Sequence, residues 1–199
     1  MKDKTEKLNA RDFIGIGIFG AIALLLFFVT GALAALTLAG TIANIPIVMF
    51  FESIAFMLAA LKIRKRGIFL IMGIITVLPG FMAANVYGVL LSVIGWFIAD
   101  SVAAYKKYEN KKTLIVSYVI GASLQSALFS LPMYISHGQY FIERREILHL
   151  TNETLQQYLN LISWYMYGSM IILTVFTSFA GAVISIKILK KHFEKADMI

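Results

Sequence analysis

Long apolar runs separated by short polar segments dominate the sequence. A helix needs about 20 apolar residues to cross roughly 30 Å of hydrocarbon, whereas barrel strands would show about ten residues of alternating character. The runs here are continuous and helix-length, so the pattern predicts an all-α polytopic membrane protein. We expect one transmembrane domain over residues 1–199, with six spans at about 13–36, 41–61, 67–82, 87–105, 113–136 and 162–186.

Composition points to the same class. Apolar residues make up 59% of the chain and charged residues 15%, against about 25% charged in ordinary soluble domains. These proportions exclude a water-soluble globule. The chain has no cysteine, which excludes a disulfide scaffold, a thiolate metal site and thiol catalysis.

The cationic residues predict the orientation of the bundle. They form clusters before the first span and after the second, fourth and sixth spans: Lys2, Lys4, Lys7, Arg11, Lys62, Arg64, Lys65, Arg66, Lys106, Lys107, Lys111, Lys112, Lys187, Lys190, Lys191 and Lys195. Six spans place all four clusters on one side, and the positive-inside rule makes that side cytoplasmic. We therefore predict both termini in the cytoplasm. The net charge of +7 is then explained by topology and anionic lipid, which argues against a nucleic-acid partner.

One connection is much longer than the others. The segment 137–160 lies on the predicted outer side, and it carries Arg144 and Arg145, the two cations outside the clusters. Thr151 and Glu153, followed by apolar residues at helical spacing, predict a capped amphipathic helix. Long ordered loops often serve function, so we interpret the segment as an extracellular lid.

Small residues form stripes on three predicted helices, and helix association in lipid depends on such residues. Those on the fourth and sixth spans favour internal packing: Ser92, Gly95, Ala99, Ala103, Thr174, Ser178, Gly181 and Ser185. Gly17, Gly20 and Ala21 form the stripe on the first span. For this stripe, internal packing and docking of a partner subunit remain equally open.

Two acids lie within the apolar runs, where a carboxylate costs a few kcal/mol on insertion scales. Asp100 is close to the cytoplasmic end of its span, about a turn from Lys106 and Lys107, which favours an acid that reaches the membrane surface. Glu52 is near the middle of the second span, with no cation in any span to neutralise it. Either Glu52 is protonated and donates a hydrogen bond, or it faces a wet cavity that holds a polar ligand.

Other polar groups indicate a pocket toward the outer surface. Asn44, Asn85 and Gln125 lie at mid-depth or in the outer half, and Pro79 and Pro132 interrupt their spans in the same region. Five aromatic residues at this level fit either an interfacial belt or a ligand-stacking site: Tyr87, Tyr134, Trp164, Tyr165 and Tyr167. The pattern therefore predicts an outward-facing binding pocket.

Motifs for catalysis are missing. The three histidines are not at metal-ligand spacing, and there is no glycine-rich phosphate loop and no G-x-S-x-G nucleophile turn. We therefore expect a chain that is not an enzyme, needs no cofactor or metal, and does not hydrolyse ATP by itself.

Three segments carry a family resemblance. The opening 8–19 (LNARDFIGIGIF), the basic turn after the second span and above all the ending 190–196 (KKHFEKA) resemble the Trep-Strep family of small integral membrane proteins. The resemblance covers essentially the whole chain. It departs at Asp197 and Met198, where the family pattern has Gly-Ile.

Trep-Strep proteins look like substrate-binding S components of energy-coupling factor (ECF) transporters. The resemblance therefore implies a six-helix bundle in the bacterial cell membrane, with an outer substrate pocket closed by extracellular loops. It also implies association with a transmembrane coupling subunit (T component) and two cytoplasmic ATPases. By the same analogy Gly17, Gly20 and Ala21 contact the coupling subunit.

The cargo implied by the family is a vitamin or vitamin precursor, of pyridoxine or hydroxymethylpyrimidine type. No cation lies in a span, so a strongly anionic cargo would depend on His137, Arg144 or Arg145 folding inward. A neutral or weakly basic heteroaromatic suits Glu52, Asn85, Gln125 and the nearby aromatic residues better.

Two other functions are compatible with the residues. A stand-alone secondary carrier would use Glu52 as its proton-coupling acid. A non-transporting assembly protein would need the packing stripes but would have no use for a polar outer pocket.

Overall fold

The computed structural model describes residues 7–37, 40 and 43–193, and all regular structure within them is helical. The helices are α1 (Ala10–Ala34), α2 (Asn44–Ile63), α3 (Ile68–Val77), α4 (Val86–Tyr105), α5 (Lys111–Ile135), α6 (Gln139–Glu143), α7 (Asn152–Leu161) and α8 (Trp164–Phe193), with a 3-10 turn (Leu78–Phe81) after α3. Helices α1, α2, α4, α5 and α8 are long and apolar enough to cross a membrane. The predicted all-α polytopic class is confirmed.

The five long helices match the predicted spans apart from shifts at their ends. The largest shift is at the end of α8, which continues to Phe193, beyond the predicted boundary at residue 186. Some predicted features lie outside the described residues: Lys2, Lys4, the span start at Thr41, Lys195 and residues 194–196 of the terminal motif.

The predicted third span is shorter than the others. It consists of α3 and the 3-10 turn, 10 and 4 residues long. At 1.5 and 2.0 Å per residue this segment is about 23 Å long, less than the roughly 30 Å hydrocarbon core. It nevertheless runs along much of α4, as contacts near both ends of that helix show. Gly67, just before α3, bonds to Asp100, and Gly80 packs against Val89.

The helices form a closed ring in the order α1, α2, α8, α5, α4, α3, in which each packs on its two neighbours. Helix α2 is the most buried of the five long helices. The small-residue stripes on α4 and α8 are buried, which confirms the packing expected of them: Ser92, Gly95, Ala99, Ala103, Thr174, Ser178, Gly181 and Ser185.

Trp96 is the centre of the core. Its indole is fully buried and stacks on Phe56, with ring centroids 4.6 Å apart and planes 20° from parallel. Gly73 of α3 and Gly121 of α5 approach the ring so closely that a Cβ atom at either position would overlap it. Three helices are therefore held around one side chain whose position is set by packing.

Asp100 differs from the expectation of an acid at the membrane surface. It is 4% exposed, and its carboxylate accepts hydrogen bonds from the backbone N–H groups of Gly67 (2.9 Å) and Phe69 (3.2 Å) and from the Tyr108 hydroxyl. The N–H groups at the start of α3 have no intrahelical partners, so a carboxylate there satisfies them and complements the helix dipole. The prediction was wrong because it used only distance along the chain, whereas tertiary contact brings α3 to this acid.

Tyr108 lies in the turn between α4 and α5 and is 2% exposed. Burial raises the pKa of its hydroxyl, and the neighbouring Asp100 carboxylate raises that pKa further above its ordinary value of 10.0. The folded state therefore favours the protonated hydroxyl, which donates to Asp100. This contribution to stability is fully present below pH 10 and is lost as the pH rises beyond it.

Candidate functional site

Two adjoining cavities open at the end of the bundle opposite Asp100 and the cationic turns. The first has a volume of about 460 Å³ and the second about 450 Å³. They share wall residues from α2, from the turn before α4 and from the long segment between α5 and α8: Asn44, Ile45, Ala83 and Leu148. Each volume lies in the range of small-molecule sites.

The walls of both cavities are largely apolar. Polar groups lining the first are Asn44, Thr76 and Gln125, and those lining the second include Asn44, Ser126, Ser130, Tyr134 and Tyr158. None of the described residues that line either cavity is charged. Such a lining suits a neutral ligand that is held by apolar contacts and oriented by a few hydrogen bonds.

The segment between α5 and α8 supplies part of both walls. As predicted, α7 is a capped amphipathic helix, with the Thr151 hydroxyl accepting from the backbone N–H of Thr154 at 3.1 Å. Tyr158 of α7 stacks on Phe141 of α6 with ring centroids 5.0 Å apart, and both rings line the second cavity. The Tyr140 hydroxyl donates to the Ala83 carbonyl at 2.8 Å, which ties this segment to the turn before α4.

Three of the predicted binding residues line these cavities. Asn44 lies in the shared wall, where its Nδ2 donates to the Gly31 carbonyl at 3.1 Å and links α2 to α1. Gln125 lines the first cavity and Tyr134 the second. The Tyr134 ring belongs to an aromatic cluster, 4.9 Å from Tyr167 and 6.4 Å from Trp164 between centroids, whereas Trp164 itself is 56% exposed outside the cavity wall.

Asn85, Tyr87 and His137 lie elsewhere. Asn85 caps α4, since its Oδ1 accepts from the Gly88 N–H at 3.1 Å and its Nδ2 donates to the Phe129 carbonyl at 2.8 Å. Pro132, three residues after Phe129, lies inside α5, and the helix continues past it to Ile135, so the predicted interruption of this span is wrong. Asn85 and Tyr87 line a third cavity of about 200 Å³, while exposed His137 lines none of the three.

Glu52 lies on α2, one turn from the first cavity and on the side of the cationic turns. It is fully buried, and neither carboxyl oxygen has a hydrogen-bond partner within the described part of the chain. Val48 and Met49, one turn away on α2, line the cavity, but Glu52 is not among the lining residues. The Tyr118 hydroxyl donates to the Met49 carbonyl of α2 at 2.6 Å, so its one hydrogen is not available to Glu52.

Replacing Glu52 by methionine is expected to stabilise the protein. A buried polar group without a partner costs about 1–3 kcal/mol, and methionine fills similar space without that cost. The measurement is the thermal midpoint of the purified protein in one detergent. Glu52→Gln is the matched control, because the amide remains buried and polar and should give little gain. A lower midpoint for the methionine variant would show that Glu52 makes a stabilising interaction.

Several residues of the cavity walls were not predicted. Thr76 lies in an otherwise apolar run, where nothing in the pattern separates it from its neighbours. Ile147 and Leu148 carried a usable signal, because an apolar pair within a polar loop indicates a buried position. Trp96 is a core residue and not among the lining residues, and its bond to Gln125 was not predicted because it arises only between helices.

One comparison with known proteins gives a match. A family model described as a hypothetical bacterial integral membrane protein (Trep_Strep) matches residues 10–195. No curated protein and no solved structure matches the chain. The matched range contains the five long helices, α3 and all residues described here as lining the cavities.

Proposed function

Since the chain belongs to the Trep_Strep family of bacterial integral membrane proteins, we propose that it is the substrate-binding S component of an ECF-type importer. In this proposal the protein captures a small vitamin or vitamin precursor at the outer face of the membrane. It performs no catalysis, and ATP is hydrolysed by partner subunits. The observation that carries the proposal is the pair of cavities at the end of the bundle away from the cationic turns, whose described lining residues are all uncharged.

The proposal requires six spans with both termini in the cytoplasm. The five long helices and the α3 segment, taken as the sixth span, put the cationic turns on one side under the positive-inside rule. The two cavities and the segment with Arg144 and Arg145 are then on the outer side. A bilayer can thin locally to accommodate a segment about 7 Å too short, at a modest cost.

The cavity lining supports a neutral cargo. A phosphate or carboxylate ligand ordinarily binds cationic side chains or helix N-termini, and the described residues of the two cavities include no cation. Arg144 is engaged at the surface, where its Nε donates to the Ala84 carbonyl at 3.2 Å. A pyridoxine-type or hydroxymethylpyrimidine-type heteroaromatic fits a 460 Å³ apolar cavity with a few polar groups.

Two of the three residues of the α1 stripe support docking of a coupling subunit. Gly17 and Ala21 are exposed, and a Cβ atom at Gly17 would meet no atom of the described residues within 4 Å. Gly20 instead packs against Ile75 of α3, which assigns it to the bundle interior. In the proposal Gly17 and Ala21 contact the T component, and the T component binds two cytoplasmic ATPases.

Reconstitution tests the proposal. In proteoliposomes the purified chain alone should bind pyridoxine or hydroxymethylpyrimidine without accumulating it. Accumulation should require the T component, both ATPases and ATP. Native mass spectrometry of the purified protein should detect one retained small molecule per chain. Binding of neither compound, together with no retained molecule, would contradict the proposal.

A second candidate function, a proton-coupled carrier, is favoured by the Glu52 carboxyl, which has no hydrogen-bond partner among the described residues and lies one turn from the first cavity. It makes the opposite prediction in the same vesicles. A carrier would accumulate its substrate with a proton gradient and no ATPase, and Glu52→Gln would abolish the coupling. In an S component the same substitution leaves ATP-driven uptake intact.

A further inference from the structure

Gln125 is the polar residue whose hydrogen bonding says most about the cargo. It lies on α5, lines the first cavity and is 6% exposed. Its side-chain amide carries one acceptor oxygen and two N–H donors, and these have opposite consequences for a ligand. The cargo chemistry that fits the cavity therefore depends on which way this amide points.

Trp96 determines that orientation. Its indole Nε1–H bonds to Oε1 of Gln125, and an indole nitrogen can only donate. The Gln125 oxygen must therefore face Trp96, because the flipped amide would place two donors against each other and leave a buried N–H unsatisfied. The Nε2 group is then directed away from Trp96, and it has no acceptor within the described part of the chain.

The indole cannot readily turn to release the amide. Trp96 is fully buried, stacks on Phe56 and is approached closely by Gly73 and Gly121. A rotation of the ring would require the backbones of α3 and α5 to separate. The Gln125 amide is thus preorganised by packing before any ligand binds.

The other polar residues of the first cavity have already used donors within the protein. The Thr76 hydroxyl donates to the Gly73 carbonyl at 3.1 Å, and Asn44 donates through Nδ2 to the Gly31 carbonyl at 3.1 Å. Gln125 differs, because neither of its N–H groups bonds to a described residue, whereas Asn44 keeps one N–H. Gln125 therefore supplies two of the three side-chain N–H donors that the described polar residues of this cavity offer to a ligand acceptor.

We infer that Gln125 selects cargo bearing a hydrogen-bond acceptor, namely the unprotonated ring nitrogen of a neutral heteroaromatic, and that Trp96 is the positioning residue for this contact. The inference rests on the proposed function and sharpens its substrate class. A flat ring of the same shape without that nitrogen leaves the Gln125 donor unsatisfied when it displaces water from the cavity. It should therefore bind more weakly.

A matched pair of probes tests the inference at pH 8. Calorimetry compares hydroxymethylpyrimidine with its benzene analogue, in which C–H replaces both ring nitrogens. The wild-type protein should bind the pyrimidine at least about tenfold more tightly, the size of effect expected for one buried hydrogen bond. Gln125→Met, close in shape but without a donor, should reduce the preference to about twofold or less.

Two further variants separate positioning from general packing. Trp96→Phe keeps the Gln125 donor but frees its orientation, so it should weaken pyrimidine binding while leaving the benzene analogue within about twofold. Thr76→Val is the matched control, because it changes a residue of the same cavity whose hydroxyl is already engaged. Its ratio of affinities should equal that of the wild type.

The possible outcomes distinguish selection by Gln125 from the proposed capture function. If the wild type binds both probes equally, the inference is overturned while the capture function stands. If Thr76→Val loses the preference as fully as Gln125→Met, selection by Gln125 is likewise overturned. If neither probe binds, the proposed cargo class fails and this inference fails with it. Should Gln125→Met not fold, Trp96→Phe decides, because an unchanged preference for the pyrimidine in that variant would overturn the inference.

Discussion

Replacing Asp100 by alanine is expected to unfold much of the protein at temperatures where the wild type is stable. The substitution leaves the backbone N–H groups of Gly67 and Phe69 and the Tyr108 hydroxyl without their acceptor in a buried place. Removing one partner from a buried charged network typically costs about 3–5 kcal/mol, a large part of the net stability of a domain. The measurement is the thermal midpoint and the yield of monodisperse protein in detergent.

Asp12 provides the matched control for Asp100. It lies at the same end of the bundle, and its carboxylate pairs with Lys65 at 2.9 Å and accepts from the Asn9 backbone N–H. This pair is partly exposed, so Asp12→Asn should cost no more than about 1 kcal/mol. Tyr108→Phe should fall between the two variants, because it removes one of three donors. Equal midpoints for D100A and D12N would refute the role assigned to Asp100.

The second large effect is expected on α1. Under the proposed S-component function, Gly17→Leu combined with Ala21→Leu should reduce ATP-driven uptake by the reconstituted complex at least about tenfold, which corresponds to about 1.4 kcal/mol of lost docking energy. Close helix association in lipid requires small residues, and two leucines would hold the partner helix away. Ligand binding and thermal midpoint should stay near wild type, since both positions are exposed on the bundle.

Two glycines on other faces serve as controls for this test. Gly168→Leu makes the same kind of change where a Cβ atom also meets open space, but on α8, and should leave uptake unchanged. Gly20→Leu should lower the midpoint, because a Cβ atom there would lie 2.7 Å from Cδ1 of Ile75. Normal uptake by the double variant would place the coupling surface elsewhere.

The two acids within the spans show which properties of a buried residue can be predicted from sequence. Glu52 and Asp100 were both recognised as costly, because the price of a carboxylate in hydrocarbon depends only on depth. Their partners were not foreseen. Asp100 binds N–H groups at the start of α3, 33 and 31 residues earlier in the chain, and Glu52 has no such group among the described residues.

For the predicted binding residues, the sequence likewise indicated their depth in the bundle but not their contacts. Asn44, Gln125 and Tyr134 line the two cavities, whereas Asn85 caps a helix and Trp164 lies outside the wall. All of them lie toward one end of the bundle, as their positions along the spans required. Rotation about the helix axis separates them, and a nearly all-apolar helix has little periodicity from which that rotation can be inferred.

The sequence by itself determined the class of protein, the long helices and the predicted orientation, because hydrophobic length and charge act through the bilayer and need no knowledge of tertiary contacts. The tertiary structure decided which residues face the cavities, which glycines face outward and which way the Gln125 amide points. These depend on distances between helices that are far apart in sequence, and such distances follow from side-chain packing.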